Sequence, residues 1–436
     1  MSTVTAPPRG TAAAPDPSSA RTRPLPPISW RAPIIYGVLG LVTLVLFGLL
    51  PASGKHTTFT FSTGTDFFAI APLRVPSKTA AIVLTLVALA IAVVSFLTTR
   101  TRRRVGPWLP AVFGLAEVLA LLTWAVAGKA NSLPLTGLLA GSLFLATPLV
   151  FGSLSGLLCE HSGIINIAIE GQLLAGAFMA AVVATLTQNA YLGLIAAPVA
   201  GILVALLLVL FAITYRVDQI IVGVVLNVLV VGVTSYLFST VLKVNAATWN
   251  SPPRLPILSV PLLSKIPIIG PVLFQQPALV YVMYVVVAVL QLMLFRSRWG
   301  LRMRSVGEHP LAADTVGIKV NRTRVRNTML GGAVAGLGGA FFTVAAGLAF
   351  GKEMTGGKGY IALAAMILGR WSPKGALAAA LLFGFSDNLQ VVLGSIGTPI
   401  PSQIMLMTPY AVTIFAVAGL VGRVRAPASE GIPYVK

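Results

Sequence analysis

The stretch RSRWGLRMRSVGEHPLAADTVGIKVNRTRVRNT, Arg296 to Thr328, decides how the chain is to be read. It carries eight basic residues (Arg296, Arg298, Arg302, Arg304, Lys319, Arg322, Arg324 and Arg326) against two acids, Glu308 and Asp314. An apolar run ends just before it at Phe295 and another opens near Met329. A long charged segment between two apolar runs is a loop at a membrane face. Here it is where a soluble partner could take hold.

Working outward, the composition agrees. Of 436 residues, 56% are hydrophobic and 10% charged, with a mean hydropathy of +0.90. Soluble domains average about 25% charged residues, so the chain reads as an all-α, polytopic integral membrane protein. A spanning helix needs roughly 20 largely apolar residues, and about 11–12 such segments are present, one of them short or re-entrant. They fall near 33–50, 79–98, 107–127, 134–157, 171–187, 190–213, 220–242, 277–295, 329–349, 359–369, 375–393 and 404–422. The segment 359–369 is too short to span at about 1.5 Å per residue and is expected to be a half-helix or re-entrant arm.

A net charge of +20 would suggest nucleic acid in a soluble protein; in this one it is loop charge that sets orientation. With the N-terminus inside and sides alternating, 22 of the 31 basic residues are cytoplasmic and nine outside, Lys352 and Lys358 among the latter. The positive-inside rule is satisfied, and both termini and the 296–328 loop are cytoplasmic on this reading. Residues 1–32, rich in Pro, Ala, Ser and Thr, read as a disordered cytoplasmic tail rather than a cleaved signal peptide. Residues 33–130 read as appended membrane segments, 131–425 as the core and 426–436 as a C-terminal cytoplasmic tail. Within the appended segments the one acid in an apolar run, Glu117, is an interfacial or helix-paired carboxylate or faces the bundle.

Several polar interruptions could carry chemistry. In Gly156–Gln172 the groups Glu160, His161, Asn166, Glu170 and Gln172 are costly at membrane depth unless satisfied. They either line a path in a broken segment or belong to a short cytoplasmic loop capping two helices. Asn227, Asp387, Asn388 and Gln390 lie within apolar runs and are candidates for the path, with a helix–helix hydrogen bond as the alternative for Asn227. Gly331–Gly339 holds a small-residue stripe suited to close packing. Gly351–Gly359 ends in Gly-Gly-Lys-Gly, but the phosphate-loop pattern fails at both ends, and the stretch is placed outside. The single Cys159 and three scattered histidines exclude an internal disulfide and give no metal-ligand spacing, so no metal site is expected. Enzyme signatures are missing too: no paired carboxylates, no H-E-x-x-H and no G-x-S-x-G. The basic fringe of the central loop could meet anionic lipid, but the neutral patch Glu308–Gly317 within it is not required for that.

Three stretches carry a resemblance: Glu160-His-Ser-Gly-Ile-Ile-Asn-Ile-Ala-Ile-Glu-Gly171, Val306-Gly-Glu-His-Pro-Leu-Ala-Ala-Asp-Thr-Val-Gly-Ile318 and Gly359-Tyr-Ile-Ala-Leu-Ala-Ala-Met-Ile-Leu-Gly-Arg-Trp-Ser-Pro-Lys-Gly375. Together with Asn227 they resemble the permease subunits of bacterial ABC importers for simple sugars and nucleosides, closest to the nucleoside branch, over residues 135–425. The resemblance implies a bacterial plasma-membrane protein that works with a second permease in a heterodimer, a cytoplasmic ABC ATPase and a lipid-anchored substrate-binding protein. It implies that Gly307, Glu308, Pro310, Ala312, Ala313, Asp314 and Gly317 form the element docking into the ATPase. On this reading the chain catalyses nothing and binds no cofactor, ATP and magnesium being held by the partner, and it touches membrane lipid but no nucleic acid. The competing expectation is an ion-coupled secondary transporter with Glu170 or Asp387 as its proton site.

Overall fold

A computed structural model describes residues 30–50, 53–102, 106, 108–398, 401, 403–404, 407 and 426–435. The expected tail over 1–32 and the expected span over 404–422 fall almost wholly outside the described residues. Among those described, ten helices are long and apolar enough to cross a membrane, and an eleventh, shorter apolar helix covers Lys358–Leu368. The all-α, polytopic expectation holds.

In chain order the helices are α1 (Arg31–Thr43), α2 (Ser77–Arg100), α3 (Trp108–Ala125), α4 (Leu135–Glu160), α5 (Ile169–Thr187), α6 (Ala190–Val209) and α7 (Gln219–Leu237). There follow the short α8 (Ala246–Trp249) and α9 (Ile269–Phe274), then α10 (Ala278–Arg296), α11 (Arg298–Glu308), α12 (Pro310–Thr315), α13 (Val320–Gly339), α14 (Lys358–Leu368) and α15 (Pro373–Ile396). Two small sheets sit in the connections. In one, β1 (His56–Thr60) pairs antiparallel with β2 (Leu73–Pro76) and parallel with β3 (Leu133–Pro134); in the other, β4 (Ile257–Ser259) pairs antiparallel with β5 (Gln275–Pro277).

The chain divides into two compact units. The smaller comprises the chain to Leu50 with Ala81–Ala120, and the larger comprises Pro51–Ala80 with Leu121–Lys436. Inside the smaller unit, Tyr36 and Phe113 stack at 4.4 Å between ring centroids. There Thr43 Oγ1 donates to Glu117 Oε1 at 3.1 Å, so this carboxylate is paired between helices.

The larger unit is organised around α4, which is buried without interruption from Ser142 to Glu160 apart from Phe144 and Leu145. A helix apolar all round is one enclosed by others. Close approach is supplied by glycine: a Cβ on Gly201 would stand 2.0 Å from the Gly332 carbonyl oxygen, and one on Gly336 would stand 2.4 Å from that of Ala197. On the neighbouring face, Gly339 would meet the Leu173 oxygen at 2.1 Å. The stripe on α13 therefore brings α5 and α6 to backbone contact, the small-residue packing that replaces hydrophobic drive in lipid.

Two features differ from expectation. First, α13 begins at Val320, well before the apolar run that opens near Met329, so Arg322, Arg324 and Arg326 ride on its first turns. Arg324 is buried. Second, Gly351–Gly359 does not end at a span boundary but leads into a helix that starts inside the bundle. Gly152 of α4 packs against Ala362 and Gly156 against Met366, so α14 runs in the same direction as α4. It opens one turn before Ala362, beside the middle of the 26-residue α4. Lys358 accordingly lies at mid-depth in the bundle, not at the outer face. Alternation of sides misassigned it because it treats each apolar run as a full crossing.

Candidate coupling and translocation sites

Two clusters emerge in the larger unit, one where the end of α4 meets the start of α13 and one at mid-depth.

The cluster at the helix ends starts with local sequence. Ser297 caps α11 by accepting from the Gly300 N–H at 3.1 Å. His309 then caps α12, its Nδ1 accepting from the Ala312 N–H at 3.2 Å, and Pro310 supplies a first helical position that needs no N–H. Gly317 ends the pair at φ +84°, where other side chains are strained. Gly307 seats the pair on the bundle: a Cβ there would stand 2.3 Å from the His161 carbonyl oxygen. Glu308 and Ala312 are exposed and Pro310 and Asp314 half-buried, while Ala313 is buried with Val306 and Val320. The outward face carries Leu301, Leu311 and Val316, the last 76% exposed.

The segment 426–435, expected as part of a C-terminal tail, lies across this pair as a strap. The Ser429 N–H donates to the Gly307 carbonyl at 2.8 Å, and the Ser429 hydroxyl donates to that of Glu308 at 3.0 Å. Arg324 Nη1 donates to the Ile432 carbonyl at 2.9 Å, and Tyr434 packs on Val306, Ala313 and Val320. Beneath it, Trp371 Nε1 donates to the Glu160 carboxylate, and His161 Nε2 donates to the Trp371 carbonyl at 2.8 Å. Burial lowers the His161 imidazole below its usual value, with the Trp371 carbonyl opposing. Burial raises the Glu430 carboxyl, with a hydrogen bond to Glu160 opposing.

A carboxyl whose folded value is raised favours the folded contact while protonated, so its contribution is lost as pH rises through that value. The amide protection factors of Ser429 and Gly431, whose N–H groups bond to Gly307 and Gly163, are therefore expected to fall as pH rises. Glu430→Gln should flatten that dependence. Hydrogen exchange across a pH series checks it, and an equal slope in both proteins would remove Glu430 as the cause.

The mid-depth cluster holds most of the polar residues singled out from sequence. Asn166 and Gln172, both fully buried, bond to each other at 3.0 and 3.3 Å, and Asn166 also donates to Ser155 at 3.2 Å. Glu170 accepts three donors: the Thr355 hydroxyl at 2.6 Å and the N–H groups of Gly357 at 2.8 Å and Gly359 at 2.6 Å. A carboxylate placed there satisfies the free N–H groups of α14 and complements its positive end. Asn227 accepts from the Gly171 N–H at 2.8 Å and donates to the Ile167 carbonyl at 2.9 Å and to the Tyr360 hydroxyl at 3.1 Å. Asp387 forms an ion pair with Lys358. Asn388 donates to the Leu138 carbonyl at 2.7 Å, away from the others, and Gln390 is half-buried on the next turn of α15. Lys358, Tyr360 and Thr355 were not singled out from sequence. Their signal was the glycine-flanked start of a helix too short to span.

Spanning helices that bury a polar cluster at mid-depth, with a helix pair beyond the span ends, fit a membrane permease. The family described as branched-chain amino acid transport system / permease component matches residues 138–417, and the chain belongs to it. It is thus the multi-pass membrane component of a transport system, not an enzyme. The chain is similar to the guanosine ABC transporter permease protein NupQ of Bacillus subtilis (strain 168), 37% identical over 304 residues, which cover 68% of this chain and 95% of NupQ. To the nucleoside ABC transporter permease protein NupC of Lactococcus lactis subsp. cremoris (strain MG1363) it is 37% identical over 308 residues, 69% and 96% of the two chains. To a second Bacillus subtilis protein, the guanosine ABC transporter permease protein NupP, it is 27% identical over 269 residues, 59% and 73% of the two. No solved structure matches it significantly.

Proposed function

We propose that the chain is the permease subunit of an ABC importer that carries nucleosides, or a related simple sugar, into a bacterial cell by alternating access. The observation that carries this is the α11–α12 pair. It stands beyond the spans, is seated on α4 through Gly307, and exposes Leu311 and Val316 beside Glu308 and Asp314. A short rigid element fixed to one helix end and apolar at its tip can transmit a rigid-body movement from a docked ATPase into the bundle. Gly307, Glu308, Pro310, Ala312, Ala313, Asp314 and Gly317 are its coupling residues.

The ATPase holds ATP and magnesium, and this chain binds no cofactor. Both termini are cytoplasmic, and a lipid-anchored binding protein delivers solute from the other side. The partner permease completes a heterodimer, a reading supported by the similarity of this chain to both NupQ and NupP of one organism. A neutral, polar solute needs hydrogen-bonding groups rather than fixed charge along its route. Asn166, Glu170, Gln172, Asn227, Asp387, Asn388 and Gln390 are the residues assigned to holding or lining that route. The ion-coupled alternative finds no support: every relative named above is an ABC permease, and Glu170 has both oxygens engaged by donors at 2.6–2.8 Å.

The test is ATP-dependent uptake of labelled guanosine by vesicles containing the complex purified through this chain. Glu308→Ala and Asp314→Ala are expected to leave ATP hydrolysis in place while uptake falls about tenfold, the consequence of losing one charge-assisted contact of roughly 1.5 kcal/mol. Full coupled uptake in both variants would remove the docking role, and a chain that purifies alone and transports without ATP would overturn the importer reading.

A further inference from the structure

Lys358 and Asp387 form the one salt bridge among the described residues. Lys358 opens α14 beside the middle of α4, and Asp387 lies in the outer half of α15, whose next residue, Asn388, bonds to Leu138 near the start of α4. The pair therefore sits between the middle and the Leu135 end of α4, within the thickness that the spans define. Its side chains are not sealed: Lys358 is 26% exposed and Asp387 14%. Nearby, Tyr360 and Val391 are more open still, at 48% and 59%.

Charged groups bared to hydrocarbon are among the most costly arrangements in a membrane, and pairing alone does not remove that cost. The face that bears them is one that water or protein covers. Glu170 points its oxygens at Thr355, Gly357 and Gly359 rather than at the Lys358 ammonium. The partial positive charge at the N-terminal end of α14, roughly half a unit, is met by Glu170. Asp387 is the acid that pairs directly with the Lys358 side chain.

We propose that the Lys358–Asp387 pair lines the aqueous route and acts as its charge filter, holding the wall neutral so that an uncharged polar solute passes without electrostatic preference. Removing Asp387 leaves a cationic wall that attracts anions; removing Lys358 leaves an anionic wall that attracts cations. The inference rests on the transport reading above only for the identity of the solute.

The experiment places a cysteine one turn along α15, Val391→Cys, in the otherwise intact complex in vesicles; the native Cys159 is buried. Two membrane-impermeant thiol reagents of equal size, one a sulfonate and one a quaternary ammonium, are applied and their labelling rates compared. With the pair intact, both reagents label at similar rates. Adding Asp387→Asn is expected to favour the sulfonate, and adding Lys358→Met the ammonium, each by on the order of tenfold, as a unit charge a helical turn away in a partly aqueous medium requires. The exchanged pair, Lys358→Asp with Asp387→Lys, restores folding if either single variant is unstable and should return the ratio toward unity. No labelling by either reagent, or a ratio indifferent to all three changes, overturns the proposal. Guanosine uptake measured on the same vesicles separates the two readings: lost labelling with normal uptake sinks the charge filter alone, and charge-dependent labelling without guanosine uptake sinks the solute assignment alone.

Discussion

Glu170→Ala is expected to abolish uptake and to lower the melting temperature of the solubilised complex by several degrees. Its two oxygens accept from Thr355, Gly357 and Gly359, so truncation strands three donors in a buried position. Each stranded buried donor costs about 1–3 kcal/mol, and the loss falls on the junction that fixes where α14 starts. Glu170→Gln separates charge from shape. It keeps the oxygen facing Thr355 and Gly357 but turns an NH2 toward the Gly359 N–H, so an intermediate loss is expected. Differential scanning fluorimetry with uptake on the same preparation reads both effects. An alanine variant with native melting and native uptake would show that α14 is held by its packing on α4 alone.

The second large effect is expected at Gly336. Its missing side chain lets α13 lie against α6, with the Ala197 oxygen 2.4 Å from where a Cβ would be, and its own carbonyl oxygen faces Gly176 at 2.2 Å by the same measure. Gly336→Ala should destabilise by about 1–3 kcal/mol, the usual cost of overpacking, and Gly336→Leu should prevent accumulation of folded protein. Gly232 on α7 has no neighbour within 4 Å of an added Cβ, so Gly232→Leu is the matched control and should accumulate normally. Equal abundance of the two leucine variants in membranes, measured by immunoblot and size-exclusion chromatography, would refute the close-packing account.

Much of the fold is legible in the sequence because membrane insertion is a local rule. A run such as 190–213 is apolar enough to span whatever its neighbours do, and the helix found there extends over 190–214 with its last turn. The half-helix at Lys358–Leu368 is legible for the same reason, since its apolar length falls short of a crossing. Start points are less so. Nothing local stops α13 from beginning at Val320, among its arginines, once Arg324 has the Ile432 carbonyl to bond to.

The candidate site was legible as a set of residue types and not as a set of pairs. Asn166, Glu170, Gln172, Asn227 and Asp387 stand out because polar groups in apolar runs need partners. Which partners they find depends on contacts hundreds of positions apart, such as Glu170 with Gly359 or Glu160 with Trp371. The strap over 426–435 left no trace, since a short polar, Pro- and Gly-containing tail looks the same whether solvated or docked.

The sequence by itself determined that this is a helical, polytopic membrane protein, where its described spans lie, and that a basic segment stands between two of them. Hydropathy and charge act residue by residue along the chain, so they survive without knowledge of the packing. Only the tertiary structure decided that Gly351–Gly359 enters the bundle, that Lys358 pairs with Asp387, and that Gly307 seats the α11–α12 pair against His161 while Ser429 bonds across it. Each of these is a hydrogen bond, an ion pair or a steric fit between distant segments. Their energies exist only once those segments are brought within a few ångströms.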